Sequence, residues 1–335
     1  MLNNRTFLLL VALITLCAKS WSQPGQAVKV VQSSQHKKVD IFIGGCLFTS
    51  FLYPDSLEKP VLYPLNADNG TAVTRGFPLN PQPGDPTDHP HHIGLWFNYE
   101  NLNDLDFWNN SYAIPQVRKH LYGWIRNTHV LKISSGKTGL LIYESSWTNE
   151  QKDIILQETT RFTFSGSVGR RIINRTTTLK AIQKAIFTDV KDGLLGLRIA
   201  HQLQMPDSTR KPVRDSIPTG NYLSSTGATG NKVWGTRASW CKVFGKMGAD
   251  SVSIAIIDHP ANPNYPGFWH ARGYGLFAIN PLGEKVFTNG KSAKNLSLNK
   301  GESVTFKYQI IINNGKQTPA AYQLNRQAAQ FATKP

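Results

Sequence analysis

A chain of 335 residues, 40% of them hydrophobic and 17% charged, can bury a large core without disulfide staples, in one large domain or two. Lysine and arginine outnumber aspartate and glutamate by 37 to 21, a formal charge of +16. The positive residues are scattered through strands ("GRRIINRTTTLK") and loops ("TRKPVRD") without interleaved aromatics. That pattern excludes a nucleic-acid-binding sheet and describes a basic, solvated surface.

The chain opens with Arg5 ahead of the apolar run "TFLLLVALITLCA" (6–18) and small residues Ala18, Ser20 and Ser22. This run is too short to span a bilayer comfortably and reads as a secretory signal peptide over 1–22. The remainder, 23–335, reads as a single exported domain, periplasmic or extracellular. Ile14-Thr15-Leu16-Cys17 resembles a lipoprotein cleavage box, but Leu16 is larger than that box prefers, so lipidation ranks below simple export. No later stretch is apolar for long enough to form a membrane helix. Beyond the signal only Cys46 and Cys241 remain; one disulfide between them is open, and their spacing matches no zinc motif.

Residues 76–92 ("GFPLNPQPGDPTDHPHH") hold five prolines, too many for a central strand, and predict a rigid loop of the kind that carries sites. Its end places His89, His91 and His92 together. Pro90 biases His89 toward extended backbone, where His89 and His91 share a face and His92 opposes them. Two imidazoles so spaced can grip a divalent metal, with His259, His270, Asp106 or Glu144 as third ligand, or can hold an anionic group. "IGLWFNY" then reads as a strand with Trp96 in the core. Asp106-Phe107-Trp108 follows an Asn- and Asp-rich turn that exposes the Asp106 carboxylate.

Strand signals continue through "GLLIYESSW", "DIILQETTRFTF", "RRIINRTTTL", "KAIFTDV" and "GLLGLRIAHQLQM", punctuated by Gly, Asn, Asp and Pro. Glu144 sits inside the first; turned inward to a cleft, it would have a raised pKa suited to acid or base work. Lys191 and Asp192 precede a glycine turn. Residues 204–230 form a polar loop, a lid or a plain connection. "SVSIAII" returns to strand, and 258–274 is a second proline-rich loop repeating Asp-His-Pro and carrying His270 and Arg272. "SVTFKYQIII" (303–312) alternates cleanly, with Val304, Phe306, Tyr308, Ile310 and Ile312 on one face. A terminal helix follows, capped by Thr318, with Pro319 in its first turn and Leu324, Ala328 and Phe331 on one side. Strands in succession without intervening helices predict an all-β fold, a large antiparallel β-sandwich with a short C-terminal helix.

Around the histidines stand the components of a sugar site. Trp96, Trp108, Trp269, Phe107 and Tyr274 can stack on a pyranose, although Trp96 is better explained as core. Arg75, Asp88, Asp106, Asn109, Asn262 and Arg272 can hydrogen-bond hydroxyls.

Three stretches, "RGFP…DHPHHIGLWFNYENLNDLDFW", "DVKDGLLGLRIA" and "DHPANPNYPGFWHARGYGLFAINPLG", together resemble the PmoA-like domain family over about residues 40–315. The resemblance implies a galactose-mutarotase-like supersandwich and a carbohydrate-related role. Its shared positions fall on Arg75, Asp88, His89, His91, His92, Asp106, Trp108, Lys191, His259, Asn262, His270 and Arg272. Ile93 stands where many members carry Arg, and Asp192 where Glu is usual. The family's common label, methane oxygenase, belongs to a membrane enzyme whose transmembrane helices this chain lacks.

The expected function is an exported enzyme acting on a small sugar, an oxidised sugar or an oligosaccharide by proton transfer, of epimerase, lyase or hydrolase type. His91, His92, Glu144 and His270 are the catalytic candidates: His91 or His92 as acid, Glu144 or Asp106 as base, Arg272 neutralising an oxyanion. Arg75, Asp88, Asp106, Trp108, Lys191, Asn262 and Arg272 would bind substrate, and His89, His91 and His259 form the candidate metal set. The alternatives are a non-catalytic carbohydrate-binding protein and a metal-dependent oxygenase.

Overall fold

In the computed structural model, which describes residues 25–207, 209, 217–315 and 318–333, the alternating segments become two eight-stranded sheets whose ladders are all antiparallel. Strands are numbered in chain order. The first sheet runs β1 (Val28–Gln32), β2 (Lys38–Ile43), β3 (Cys46–Leu52), β4 (Val61–Leu65), β5 (Leu95–Tyr99), β11 (Gly193–Arg198), β16 (Leu276–Asn280) and β15 (Phe268–Ala271). The second runs β12 (Asn221–Ser224), β13 (Trp240–Met247), β14 (Asp250–Asp258), β18 (Ser303–Asn314), β9 (Arg170–Ala181), β8 (Ile154–Ser167), β7 (Gly139–Thr148) and β6 (Trp124–Ser134). A small ladder pairs β10 (Ala185–Phe187) with β17 (Leu296–Leu298). The segment read as a signal peptide, 1–22, lies outside the described residues. Among those described, no helix is long and apolar enough to cross a membrane.

The period-two pattern of β18 does what it predicts: Phe306, Tyr308, Ile310 and Ile312 are buried between the sheets, with Val304 packed at the margin. Aromatic pairs stitch the layers, Phe97 to Phe306 at 5.7 Å and Phe51 to Tyr143 at 4.4 Å between centroids. Each sheet also buries part of its outer face. On the second, Trp240, Ala255, Ile257 and Ile311 are covered by Leu324 and Phe331 of the helix Ala321–Ala332, with Ala328 alongside. On the first, Trp96, Trp108, Ile93, Leu276 and Ala278 lie under loops, and the candidate site is built there.

Several expectations change. The helix starts after Ala320, whose N–H donates to Oε1 of Gln323 at 2.8 Å, so Thr318 and Pro319 lie ahead of it and the hydroxyl of Thr318 turns back to the carbonyl of Gly315. Residues 204–230 are not all loop; Asn221–Ser224 pairs with β13. Cys46 is exposed on the first sheet and Cys241 buried in the second, and both are free thiols. Glu144 faces outward on β7, near His129 at 3.4 Å. The inward carboxylate of these strands is Glu158, taken up by Arg175 at 3.0 Å, the Tyr143 hydroxyl at 2.8 Å and the Trp147 indole at 2.9 Å.

Candidate functional site

Successive side chains of a strand point to opposite faces. Since Leu95, Phe97 and Tyr99 feed the inter-sheet core, Trp96 and Asn98 are left on the outside of β5. The register carries a row across four strands: Trp96 beside Gly196, Gly196 beside Ala278, Ala278 beside His270. The row closes only because position 196 lacks a side chain. A Cβ there would lie 2.4 Å from the Trp96 ring and 2.9 Å from that of Trp108. Gly196→Ala is expected to cost about 1–3 kcal/mol by overpacking, seen as a lower urea midpoint with an unchanged slope. An unchanged midpoint would mean that the indoles can move aside.

The proline-rich loop arrives above Trp96, but not extended. His89 has φ 47°, and the N–H of His92 donates to the carbonyl of His89 at 3.0 Å, closing a turn. The cause is Arg75. Its buried guanidinium donates to the carbonyls of Pro86, Asp88, His89 and His92 at 2.7–3.0 Å, and an extended chain would carry those carbonyls apart. The rings therefore converge instead of alternating. His89 stacks on His92 at 4.8 Å and on Tyr274 at 5.1 Å, and His92 rests on Trp96 at 5.2 Å. His91 meets both imidazoles edge-on, at 5.6 and 4.3 Å.

Asp88 is the anion of this loop, accepting from Arg75 at 3.0 Å, Arg198 at 2.7 Å and Nδ1 of His89 at 2.6 Å. Burial works against its charge, but His89, Arg198 and Arg75 hold its pKa down at about 2. Lys59, buried and donating to the His91 carbonyl at 2.8 Å, is lowered to about 8 by burial. Burial and these cations lower His91 to about 2 and His92 well below its ordinary value. Burial and the neighbouring cations thus disfavour the charged form of both imidazoles. Nδ1 of His92 lies 3.3 Å from the Arg198 guanidinium, which can only donate, so the ring proton belongs on Nε2. Arg75, expected to bind a sugar, has both terminal nitrogens engaged in shaping the loop.

The second Asp-His-Pro lies elsewhere. Asp258 accepts from Nδ2 of Asn262 at 2.7 Å and the N–H of Gly267 at 2.8 Å, and Asn262 exchanges two hydrogen bonds with the Lys307 backbone. Asn262 is therefore a loop clamp. His259 packs edge-on against Phe331 of the terminal helix, 5.0 Å away, on the outer side of the second sheet. That position separates His259 from His89 and His91. Among the described residues no group of three His, Cys, Asp or Glu side chains is arranged to hold a metal ion.

The end of that segment does reach the first loop, through Tyr274 on His89. Just before it, His270 lies on the outer face of β15, with Nδ1 3.1 Å from Oδ1 of Asp192. The contact is close but off the line of a straight hydrogen bond, so we read it as a charge–dipole contact. Asn280 fixes the approach of Asp192 by donating to the carbonyls of Val190 and Lys191 at 2.8 and 2.9 Å. The N–H of Asp192 donates to Oε2 of Glu100 at 3.1 Å, and the N–H of Glu100 to the carbonyl of Asp192 at 3.0 Å. Two carboxyl groups are thereby held side by side, and they titrate apart. Burial, then the charge of Asp192, raises Glu100 to about 7. Asp192 is itself buried, yet His270 and Lys191 keep its pKa below the usual value. Burial lowers His270, with Asp192 opposing.

The remaining candidates divide by exposure. Trp108 is 1% exposed, packed against Trp96 and His92, and has no free face for a sugar. Trp269 and Phe107 lie between the sheets. Asp106 is less open than its turn predicted; it accepts from the backbone and side chain of Asn109 at 2.8 and 2.9 Å, and burial raises its pKa. Lys191 is partly exposed, 3.4 Å from Asp192, and with Glu100, Asp189 and Lys285 lines an open depression of about 620 Å³. Glu100, Lys59 and Arg198 escaped the sequence reading. Only Arg198 left a local signal, a charged residue inside the apolar run of β11.

One family model matches residues 38–326, that of a family of unknown function (DUF6807). This overturns the resemblance to the PmoA-like family, and the oxygenase alternative drawn from its label falls with it. No curated protein matches the sequence. Among solved structures, the GH36 alpha-galactosidase AgaB from Geobacillus stearothermophilus is 10% identical with a TM-score of 0.41, over 86% of this chain and 41% of that one. This chain thus spans about two fifths of that enzyme's length. A GalM/aldose epimerase homologue from C. elegans is 11% identical with a TM-score of 0.35, over 86% of this chain and 99% of that one. A galactose mutarotase related enzyme from Lactobacillus acidophilus is 9% identical with a TM-score of 0.31, over 85% and 97%. The sandwich itself stands on its own strand pairing.

Proposed function

The chain belongs to the DUF6807 family, and from the chemistry of its outer-sheet site we propose a carbohydrate-active enzyme that works by proton transfer on a sugar or oxidised sugar. One observation carries the reading. Glu100, with a pKa of about 7, lines an open depression beside Asp192, which in turn faces the neutral imidazole of His270. A carboxylic acid that keeps its proton near neutrality, linked through Asp192 to a largely buried imidazole whose charged form burial disfavours, is the equipment of acid–base catalysis at physiological pH. Glu100 delivers a proton and His270 removes one, while Asp192 orients the ring and stabilises the imidazolium that forms. Lys191 supplies positive charge to a developing oxyanion. His91 and His92, held neutral, serve as a stiff floor. Epimerisation, β-elimination and hydrolysis all use this set. The proposal includes export, on the pattern of residues 1–22 alone.

The test is a screen of neutral sugars, sugar acids and oligosaccharides, with product analysis and calorimetry on the same samples. Turnover should depend on pH with an inflection near 7 from Glu100, and both Glu100→Gln and His270→Ala should depress it. Turnover that survives both substitutions overturns the proposal. Saturable binding with no product points instead to a non-catalytic carbohydrate-binding protein.

A further inference from the structure

Three arginines stand at this site, and two are already spoken for. Arg75 and Arg198 have fully buried side chains and share the carboxylate of Asp88. The third, Arg272, is exposed. It follows directly on β15, and strand alternation puts it on the same face as His270. Its backbone is fixed on both sides of a tight turn: its N–H donates to the carbonyl of Leu276 at 2.8 Å, and its carbonyl accepts from the N–H of Gly275 at 2.9 Å. The guanidinium lies 5.7 Å from the centre of the Trp234 ring and 5.8 Å from that of Tyr274. Both rings are themselves held, Tyr274 by His89 at 5.1 Å and Trp234 by Phe287 at 5.3 Å. Among the described residues the Arg272 guanidinium pairs with no carboxylate. A flat cation flanked by aromatic rings has its N–H edge left for a partner, and that edge matches a planar, two-oxygen acceptor.

We infer that Arg272 is the docking group for the carboxylate of an acidic sugar, holding the substrate at the outer face of the first sheet beside β15. The site has one such fork, and the two guanidiniums that could take a third oxygen are committed to Asp88, so a carboxylate fits better than a phosphate. Lys191 and Lys285 at the neighbouring depression and the net charge of +16 favour the approach of an anion. The carboxylate assignment deepens the proton-transfer reading, and only the identification of the ligand as a sugar rests on it.

Calorimetry on the full chain with D-glucuronate, D-gluconate, D-glucose and D-glucose 6-phosphate, each at low and moderate salt, decides the matter. Wild type should bind at least one of the two acids about tenfold or more tightly than glucose, with a preference that shrinks as salt rises. Arg272→Gln should erase the preference without lowering the thermal midpoint, and Arg272→Lys should keep part of it, since the charge remains and the fork is lost. Equal binding of acids and glucose by wild type, no binding of either acid, an undiminished preference in Arg272→Gln, or tighter binding of the phosphate would each overturn the assignment. The readout is binding without turnover. A protein that prefers the acids but whose turnover survives Glu100→Gln and His270→Ala therefore upholds Arg272 while sinking the catalytic reading.

Discussion

Asp88→Ala is expected to destabilise the protein by about 3 kcal/mol, more than any other single substitution in the candidate site. Two guanidiniums with fully buried side chains converge on one carboxylate oxygen, at 3.0 and 2.7 Å, and its removal leaves two buried positive charges facing each other. Arg75 already registers that strain, its pKa lowered to about 10 by burial and by the charge of Arg198. The estimate sits at the low end of the range for broken buried pairs because the Asp88 side chain is 37% exposed and water can enter beside the arginines. Urea unfolding measures it. A loss below about 1 kcal/mol would mean that solvent alone screens the arginines. The pH dependence has a fixed sign. Asp88 is depressed from 3.8 to about 2, so its contribution is present above the unfolded value and lost as pH falls through the folded one. Wild type and variant should therefore converge in stability between about pH 4 and pH 2.

The largest effect on activity is expected from His270→Ala and Glu100→Gln, each lowering kcat by about 10²–10⁴-fold if they are the proton-transferring groups. Glu100→Gln carries a second signature that a merely structural residue would lack. Its pKa is raised from 4.5 to about 7, so its stabilising contribution is full below the unfolded value and disappears as pH rises through the folded one. Above pH 7 the wild-type protein holds an ionised carboxylate beside Asp192, and glutamine relieves the repulsion. The variant should be inactive yet more stable than wild type at pH 8, by about 1–2 kcal/mol after discounting for solvent access, with no such gain at pH 4. A variant less stable at every pH would point to lost packing and take Glu100 out of the catalytic role.

The class of fold was legible because strand signals follow one another without intervening helices, and the alternation of β18 marks its inner face. A strand such as β16 was harder, since outer-face burial under loops puts Ala278 where a polar residue would mark the period. The histidine loop was found from its composition, but its shape was misread. Proline geometry argues locally for extension at His89, and four carbonyls drawn to one distant guanidinium override it. The proposed acid–base pair was half visible. His270 and Arg272 stood in a stretch expected to be a loop, part of which is strand β15, whereas Glu100 gained significance only from backbone hydrogen bonds to Asp192, 92 positions away. Glu144 and His259 failed for the same reason in reverse: which side of a sheet a residue faces is settled by packing partners that its immediate neighbours in the chain do not reveal.

The two described thiols, one exposed on β3 and the other sealed within β13, give the sandwich no disulfide between them for a reductant to break. Its folding asks for no bridge between Cys46 and Cys241, so the same structure should form in a reducing cytosol as in an oxidising envelope, and purification under a thiol reductant should leave it intact. Covalent labelling would then reach the surface cysteine at position 46 and spare its buried counterpart, a convenient handle on the side of the first sheet far from β15.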